Sequence, residues 1–212
     1  MDERIDVAMA RVERWLNSNA ERISTLSLRP AASTQTLIEL EEKVGKPLPE
    51  DFKALYAHHD GLDDSENLGS LFYGMDFLPL ERIIREREPA SDRSATALRK
   101  ADPAINGDDS ENLGWIRFGF DGSHTALLLD LAPTEQGRYG QIIFVDDEYG
   151  VAILVADSTA HLLESFSRHL EEGLYALDAD ALEDGNHYLE ADQSIDIVNW
   201  ASTDRWKHLE AQ

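Results

Sequence analysis

Apolar residues recur at helical spacing in several stretches of this chain and at strand spacing in one, and the change of period divides it. In residues 3–16, Ile5, Met9, Val12 and Leu16 repeat every three to four positions, with Ala8 and Trp15 widening the stripe. That spacing predicts an amphipathic helix. Residues 17–32 hold an Asn-Ser-Asn run and Arg29-Pro30 and read as a break or linker. A second helix is expected after Ser33 or Thr34, either of which suits an N-cap. Leu37, Leu40 and Val44 form its apolar face, and Gly45 stops it. A third begins at Pro49, where a missing N–H costs nothing, with Glu50 and Asp51 at its positive end. Phe52, Leu55, Tyr56 and His59 follow, and Asp60-Gly61 ends it. Residues 81–101 are helix-prone and strongly charged, with Pro89 breaking the segment near its middle.

From Trp115 the period becomes that of strands. WIRFGF alternates, DGSH turns, TALLLDL is a second strand, QIIFV a third and VAILVA a fourth, with APTEQGRYG and DDEYG between them. Short strands joined by turn-rich connections predict an antiparallel β-meander. Asp157 or Ser158 then caps a helix whose core side carries Leu162, Leu163, Phe166 and Leu170. The acidic remainder, 173–212, has anchors at Leu174, Leu177, Val198, Trp200 and Trp206 and reads as a helical appendage. The fold class is therefore α+β: an antiparallel meander flanked by helices.

Charge changes what such a domain can bind. The 212 residues carry 19 basic and 42 acidic side chains, a formal net charge of −23. A chain so acidic repels phosphate backbones and anionic lipids, so neither direct nucleic-acid binding nor membrane association is expected. It steers basic partners toward itself. With no cysteine, disulfides, thiolate nucleophiles and cysteine metal sites are excluded. No secretory h-region follows the N-terminus, and no apolar run approaches the ~20 residues of a membrane span. The expected location is the cytoplasm.

Two segments resemble a known family. LEEKVGKPLPEDFKALYAHHDG, residues 40–61, is similar to the helical pair of the SMI1/KNR4 (SUKH) family, with Leu48-Pro49, Phe52, Leu55, Tyr56, Asp60 and Gly61 in the expected places. WIRFGFDGSHTALLLDLAPTEQGRYGQIIFV, residues 115–145, is similar to its strand core. There Trp115 opens a strand, and an LxLDLxPxxxGxxGQII motif carries Asp130, Pro133, Gly137, Gly140 and Gln141. The resemblance covers roughly 33–172 and divides the chain into an N-terminal helix and linker (1–32), an SMI1/KNR4-like domain (33–172) and a C-terminal extension (173–212). It implies no catalytic centre and no cofactor. Bacterial members resemble immunity proteins that neutralise toxins; fungal members resemble regulators of cell-wall synthesis. The longer ends and the insertion-like stretch 85–114 depart from the short bacterial pattern. Trp115, Asp130, Pro133, Gly137, Gly140 and Gln141 also have structural tasks of their own: anchoring the core, bonding loop N–H groups and permitting tight turns.

No G-x-S-x-G, Walker A, H-E-x-x-H or G-x-G-x-x-G motif occurs. His58 and His59 are adjacent on a helix and point apart, so they do not converge on one ion. His161 and His169 stand two turns apart, too far for a two-ligand helical site, and Asp146-Asp147-Glu148 reads as a solvated turn. No metal site is expected. The heptapeptide DDSENLG, however, occurs twice, at 63–69 and 108–114. Its spacing fails the calcium-loop pattern, because Gly comes one place late and no bidentate Glu follows. Read as a pair of acidic recognition elements, the repeat assigns partner contact to Asp63, Asp64, Glu66, Asp108, Asp109 and Glu111. The expected function is non-enzymatic: an immunity protein occluding a cognate basic toxin, such as a nuclease, by stoichiometric binding. The alternative is a regulatory scaffold of cell-wall or envelope assembly.

Overall fold

A computed structural model describes residues 2–63, 65, 69–87, 96–110 and 112–209. The chain opens with α1 (Glu3–Asn19), α2 (Thr34–Val44) and α3 (Glu50–His58). Asp2 caps α1 by accepting the Arg4 N–H at 3.0 Å, and Ser33 caps α2 through the Thr36 N–H at 3.0 Å. Gly45 ends α2 at φ +70°. Then come β1 (Asp76–Phe77), α4 (Leu80–Glu86), β2 (Lys100–Ala101), β3 (Trp115–Phe120), β4 (Thr125–Asp130), β5 (Gln141–Asp146), β6 (Val151–Ala156) and α5 (Thr159–Glu171). The chain closes with β7 (Tyr175–Leu177), α6 (Ala179–Glu183) and β8 (Leu189–Ala191).

The meander from β3 to β6 is antiparallel throughout, as the strand periodicity predicts. It is the centre of a six-stranded sheet ordered β1-β3-β4-β5-β6-β2, in which β1 joins antiparallel and β2 parallel to β6. Both edge strands are only two residues long, which leaves little backbone for another chain to pair with.

One face of the sheet meets the helices. Ile116, Phe118, Leu127, Leu129, Ile142 and Phe144 pack there with the apolar stripes of α1, α3 and α5. Each such side chain contributes about 1.5–3 kcal/mol when fully buried. Phe52 joins α3 to β3 through an edge-on contact with Phe118, ring centroids 5.8 Å apart. Helices α1 and α5 run side by side in the same direction: Arg4 pairs with Glu164, and Arg11, two turns on, pairs with Glu171. The opposite face buries Trp115, Ala126, Leu128, Ile143 and Val145 beneath Ile105 and its neighbours. Hence β4 and β5 are buried at every position.

Three expectations need correction. The alternation of β3 is broken by a register shift between Arg117 and Gly119. Among the described residues of the helix-prone stretch 81–101, only those within α4 are helical, and residues 100–101 are strand; residues 88–95, Pro89 included, lie outside the described residues. The described part of the extension, 173–209, is not a helical appendage. It forms the β7–β8 hairpin with short α6 between its strands, followed by single turns. Ile195, Ile197, Trp200, Trp206 and Leu209 are buried in the main core. Its helix-compatible residues yield to tertiary partners: the Trp200 Nε1–H donates to Asp146 at 3.0 Å, the Trp206 Nε1–H to the Ile195 carbonyl at 2.9 Å, and the Lys100 ammonium to the Leu209 carbonyl at 2.7 Å.

Candidate functional site

The family-like motif residues meet at the ends of β3, β4 and β5. Asp130, fully buried, accepts from the Trp115 Nε1–H at 3.0 Å, the Ala132 N–H at 2.8 Å and the Gln141 amide at 2.8 Å. The same Gln141 amide reaches the Ala104 carbonyl at 3.0 Å, and its oxygen accepts the Arg138 N–H at 3.0 Å. A Cβ on Gly137 would lie 2.3 Å from the Ala104 oxygen and 2.7 Å from Pro133, and one on Gly140, at φ +83°, 2.6 Å from Pro49. Only glycine fits either place. Burial holds the Asp130 carboxyl above the usual carboxylate range, against the lowering effect of its three hydrogen bonds and of Lys46. The network ties three strands and a loop together and offers no open position for a substrate atom.

Beside it, on the sheet face away from the helices, lies a cleft of about 570 Å³, within the ~300–1,000 Å³ range of ligand sites. Its floor is apolar: Trp115, Ala126, Leu128 and Val145. One wall comes from Ile83, Arg87, Ser110 and Leu113, the other from Leu98, Arg99 and the β5–β6 turn at Glu148. Arg87 is fixed by donating to the carbonyls of Trp115, at 2.7 Å, and Leu113. Arg117, exposed at the rim, lies over the Phe120 ring, 4.8 Å from its centroid. The break in β3 register between Arg117 and Gly119 lies between these two residues, and bulges of this kind re-aim side chains. Arg99, also exposed, stands beside Gly150 and donates its backbone N–H to that residue's carbonyl at 2.7 Å.

Sequence reasoning did not find these arginines. A signal was present: Arg117 shares strand parity with Trp115, so a charge occupies the face on which a tryptophan is buried.

The acidic repeat is spread over separate elements. Asp63 is exposed and accepts the Ser65 N–H at 2.8 Å; the Ser65 hydroxyl, and then that N–H, hold its carboxyl below the usual range. The hollow beside it, about 10 Å³, has room for little more than one water. Asp108 is exposed and Asp109 half-buried, in the segment leading to β3; Asp64, Glu66 and Glu111 lie outside the described residues. The neighbouring histidines diverge as expected. His58 reaches Asp6 at 2.8 Å, and His59 reaches Glu13 at 2.9 Å. Among the described residues no cluster of three or more His, Asp or Glu could hold a metal ion, and no helix is long and apolar enough to cross a membrane.

Comparison with known proteins fits this architecture. The model of the SMI1 / KNR4 family (SUKH-1) matches residues 31–165, from just before α2 into α5. The chain is 24% identical over 216 residues to a cell wall biosynthesis/cell cycle regulator, smi1, of Schizosaccharomyces pombe, covering 94% of this chain and 40% of that protein. It is 22% identical over 228 residues to the cell wall assembly regulator SMI1 of Saccharomyces cerevisiae, covering 89% and 44%. It is 24% identical over 211 residues to a glucan synthesis regulatory protein of Neurospora crassa, covering 82% and 40%. The chain thus spans less than half the length of these relatives, and all three are named as regulators.

Proposed function

This chain belongs to the SMI1 / KNR4 family (SUKH-1), and from that premise we propose that it is a non-catalytic regulatory binding protein of cell-wall or envelope assembly. The observation that carries this reading is the likeness to two named cell-wall regulators over 94% and 89% of the chain, and to a glucan synthesis regulatory protein over 82%. It extends beyond the family-model match at 31–165. The cleft supports a binding role, since an apolar floor rimmed by arginines suits recognition. The toxin-neutralising role, expected from the bacterial side of the resemblance, has no counterpart in those relatives' names.

The test is replacement. This chain is expressed in place of the matching region of the Saccharomyces cerevisiae relative, and growth is scored under a cell-wall-perturbing agent. Restored growth supports the reading, and failure despite normal expression overturns it. The purified protein is expected to turn over no substrate. Robust hydrolysis, lost on changing a single carboxylate, would overturn the non-catalytic part.

A further inference from the structure

We propose that the cleft on the outer sheet face binds an extended acidic peptide segment of a partner protein. Arg99 and Arg117 would hold its carboxylate, and Leu128, Val145 and Trp115 would receive the apolar side chain beside it. This deepens the binding-protein reading and rests on it. The argument starts from charge. In a chain of 42 acidic and 19 basic residues, carboxylates outnumber the cations that can pair with them. Arg4, Arg11, Arg29, Arg82, Arg138 and Arg168 each lie within ion-pair distance of one. Arg14, Arg22, Arg85, Arg99, Arg117 and Arg205 have none among the described residues, and of these six only Arg99 and Arg117 line the cleft, which acids line as well. Of those acids, Glu86 accepts from Arg82 at 2.7 Å and Asp147 has an interaction of its own, while Glu148 lies 3.6 Å from His124 with its side chain turned largely to solvent.

An arginine stacked on a ring keeps the edge of its guanidinium free, and that edge matches a carboxylate with two parallel N–H donors. The apolar floor and the volume of about 570 Å³ exceed what a lone small anion would fill. Leu113, 49% exposed at the rim, extends the apolar surface. A nucleic acid is the wrong occupant, because each added phosphate meets the repulsion of a chain at −23. A segment with one or two carboxylates places its charge beside the arginines, and charges beyond about 8 Å are largely screened.

The experiment uses the full chain and a short fluorescent peptide of alternating glutamate and leucine. Comparison probes are alternating lysine and leucine, glutamine and leucine, and free N-acetylglutamate. Fluorescence anisotropy, and competition by the free amino acid, are the readouts. The glutamate peptide is expected to bind. Arg99→Ala and Arg117→Ala should each weaken it roughly tenfold or more. Arg14→Ala, exposed on α1, should not change it. The double variant Arg99→Glu/Arg117→Glu should prefer the lysine peptide. Thermal unfolding of each variant verifies folding. Binding that is equal for the lysine or glutamine peptide, unchanged in the arginine variants, or reproduced by N-acetylglutamate alone overturns the proposal. If binding fails while wall-stress growth is restored, the regulator reading stands and this cleft is not its contact surface.

Discussion

The two faces of the sheet share the same strands and are closed by different physics. Toward the helices, Phe118, Leu127, Leu129 and Phe144 are wholly buried among aromatic and aliphatic side chains from α1, α3 and α5. On the other face, a smaller apolar cluster shares its surface with the Asp130–Trp115–Gln141 network and with an arginine-rimmed cleft. Apolar packing is non-directional and tolerates no open space. A hydrogen-bonded network fixes positions by direction, so a cavity can stand beside it. Stability is thus concentrated on the helix side and the room for recognition on the other.

The largest effect is expected from deleting residues 173–212. Ile195, Ile197, Trp200, Trp206 and Leu209 would leave the core. At about 1.5–3 kcal/mol each, their loss rivals a total stability of about 5–15 kcal/mol. The truncated chain should show no cooperative thermal transition by circular dichroism. A sharp transition at the parent's midpoint would make the extension an appendage after all.

Next comes Phe118→Ala, which should cost about 4 kcal/mol in urea denaturation, against about 2 kcal/mol for Leu128→Ala on the cleft floor. Equal costs would erase the contrast between the faces.

Asp130→Ala strands three buried donors and should cost about 3 kcal/mol. Asp130→Asn isolates the charge. The folded carboxyl titrates above its unfolded value. Its contribution is therefore full below the unfolded pKa and lost as pH rises through the folded one. The stability difference between parent and Asn variant should be widest in acid and narrow as pH rises past the usual carboxylate range. A pH-independent difference would refute this.

His169, buried on α5, provides the opposite sign. Burial, then Arg205 and Arg168, holds its pKa below the usual histidine value. Its contribution is present above the unfolded pKa and lost as pH falls through the folded one. His169→Gln should flatten the acid limb of the stability profile, measured by thermal unfolding at stepped pH. The smallest effect belongs to the exposed pair Arg4–Glu164, where Arg4→Ala should cost about 0.5 kcal/mol or less.

Much of the architecture was legible residue by residue. Ser33 and Gly45 mark the ends of α2, the stripe from Ile5 to Leu16 marks α1, and the turn residues between the runs from Trp115 to Ala156 mark the meander. The resemblance pointed to the family; Asp130 accepts a loop N–H, and Gly137 and Gly140 stand where a Cβ would clash. The cleft was not legible, because Arg99 and Arg117 are distant in sequence and line one cavity only when the chain packs. Nor was the fate of residues 173–212, whose alanines and acids suit a helix in isolation.

Periods, caps and turn residues act between near neighbours, so the sequence by itself determined α1, α2, α3 and α5 and the four antiparallel strands of the meander. Only the tertiary structure decided that residues 175–209 complete the core, that both faces of the central strands are covered, and that Arg99 and Arg117 line one cleft. Those outcomes depend on which distant groups bury one another. That competition among long-range contacts is resolved only when the chain packs.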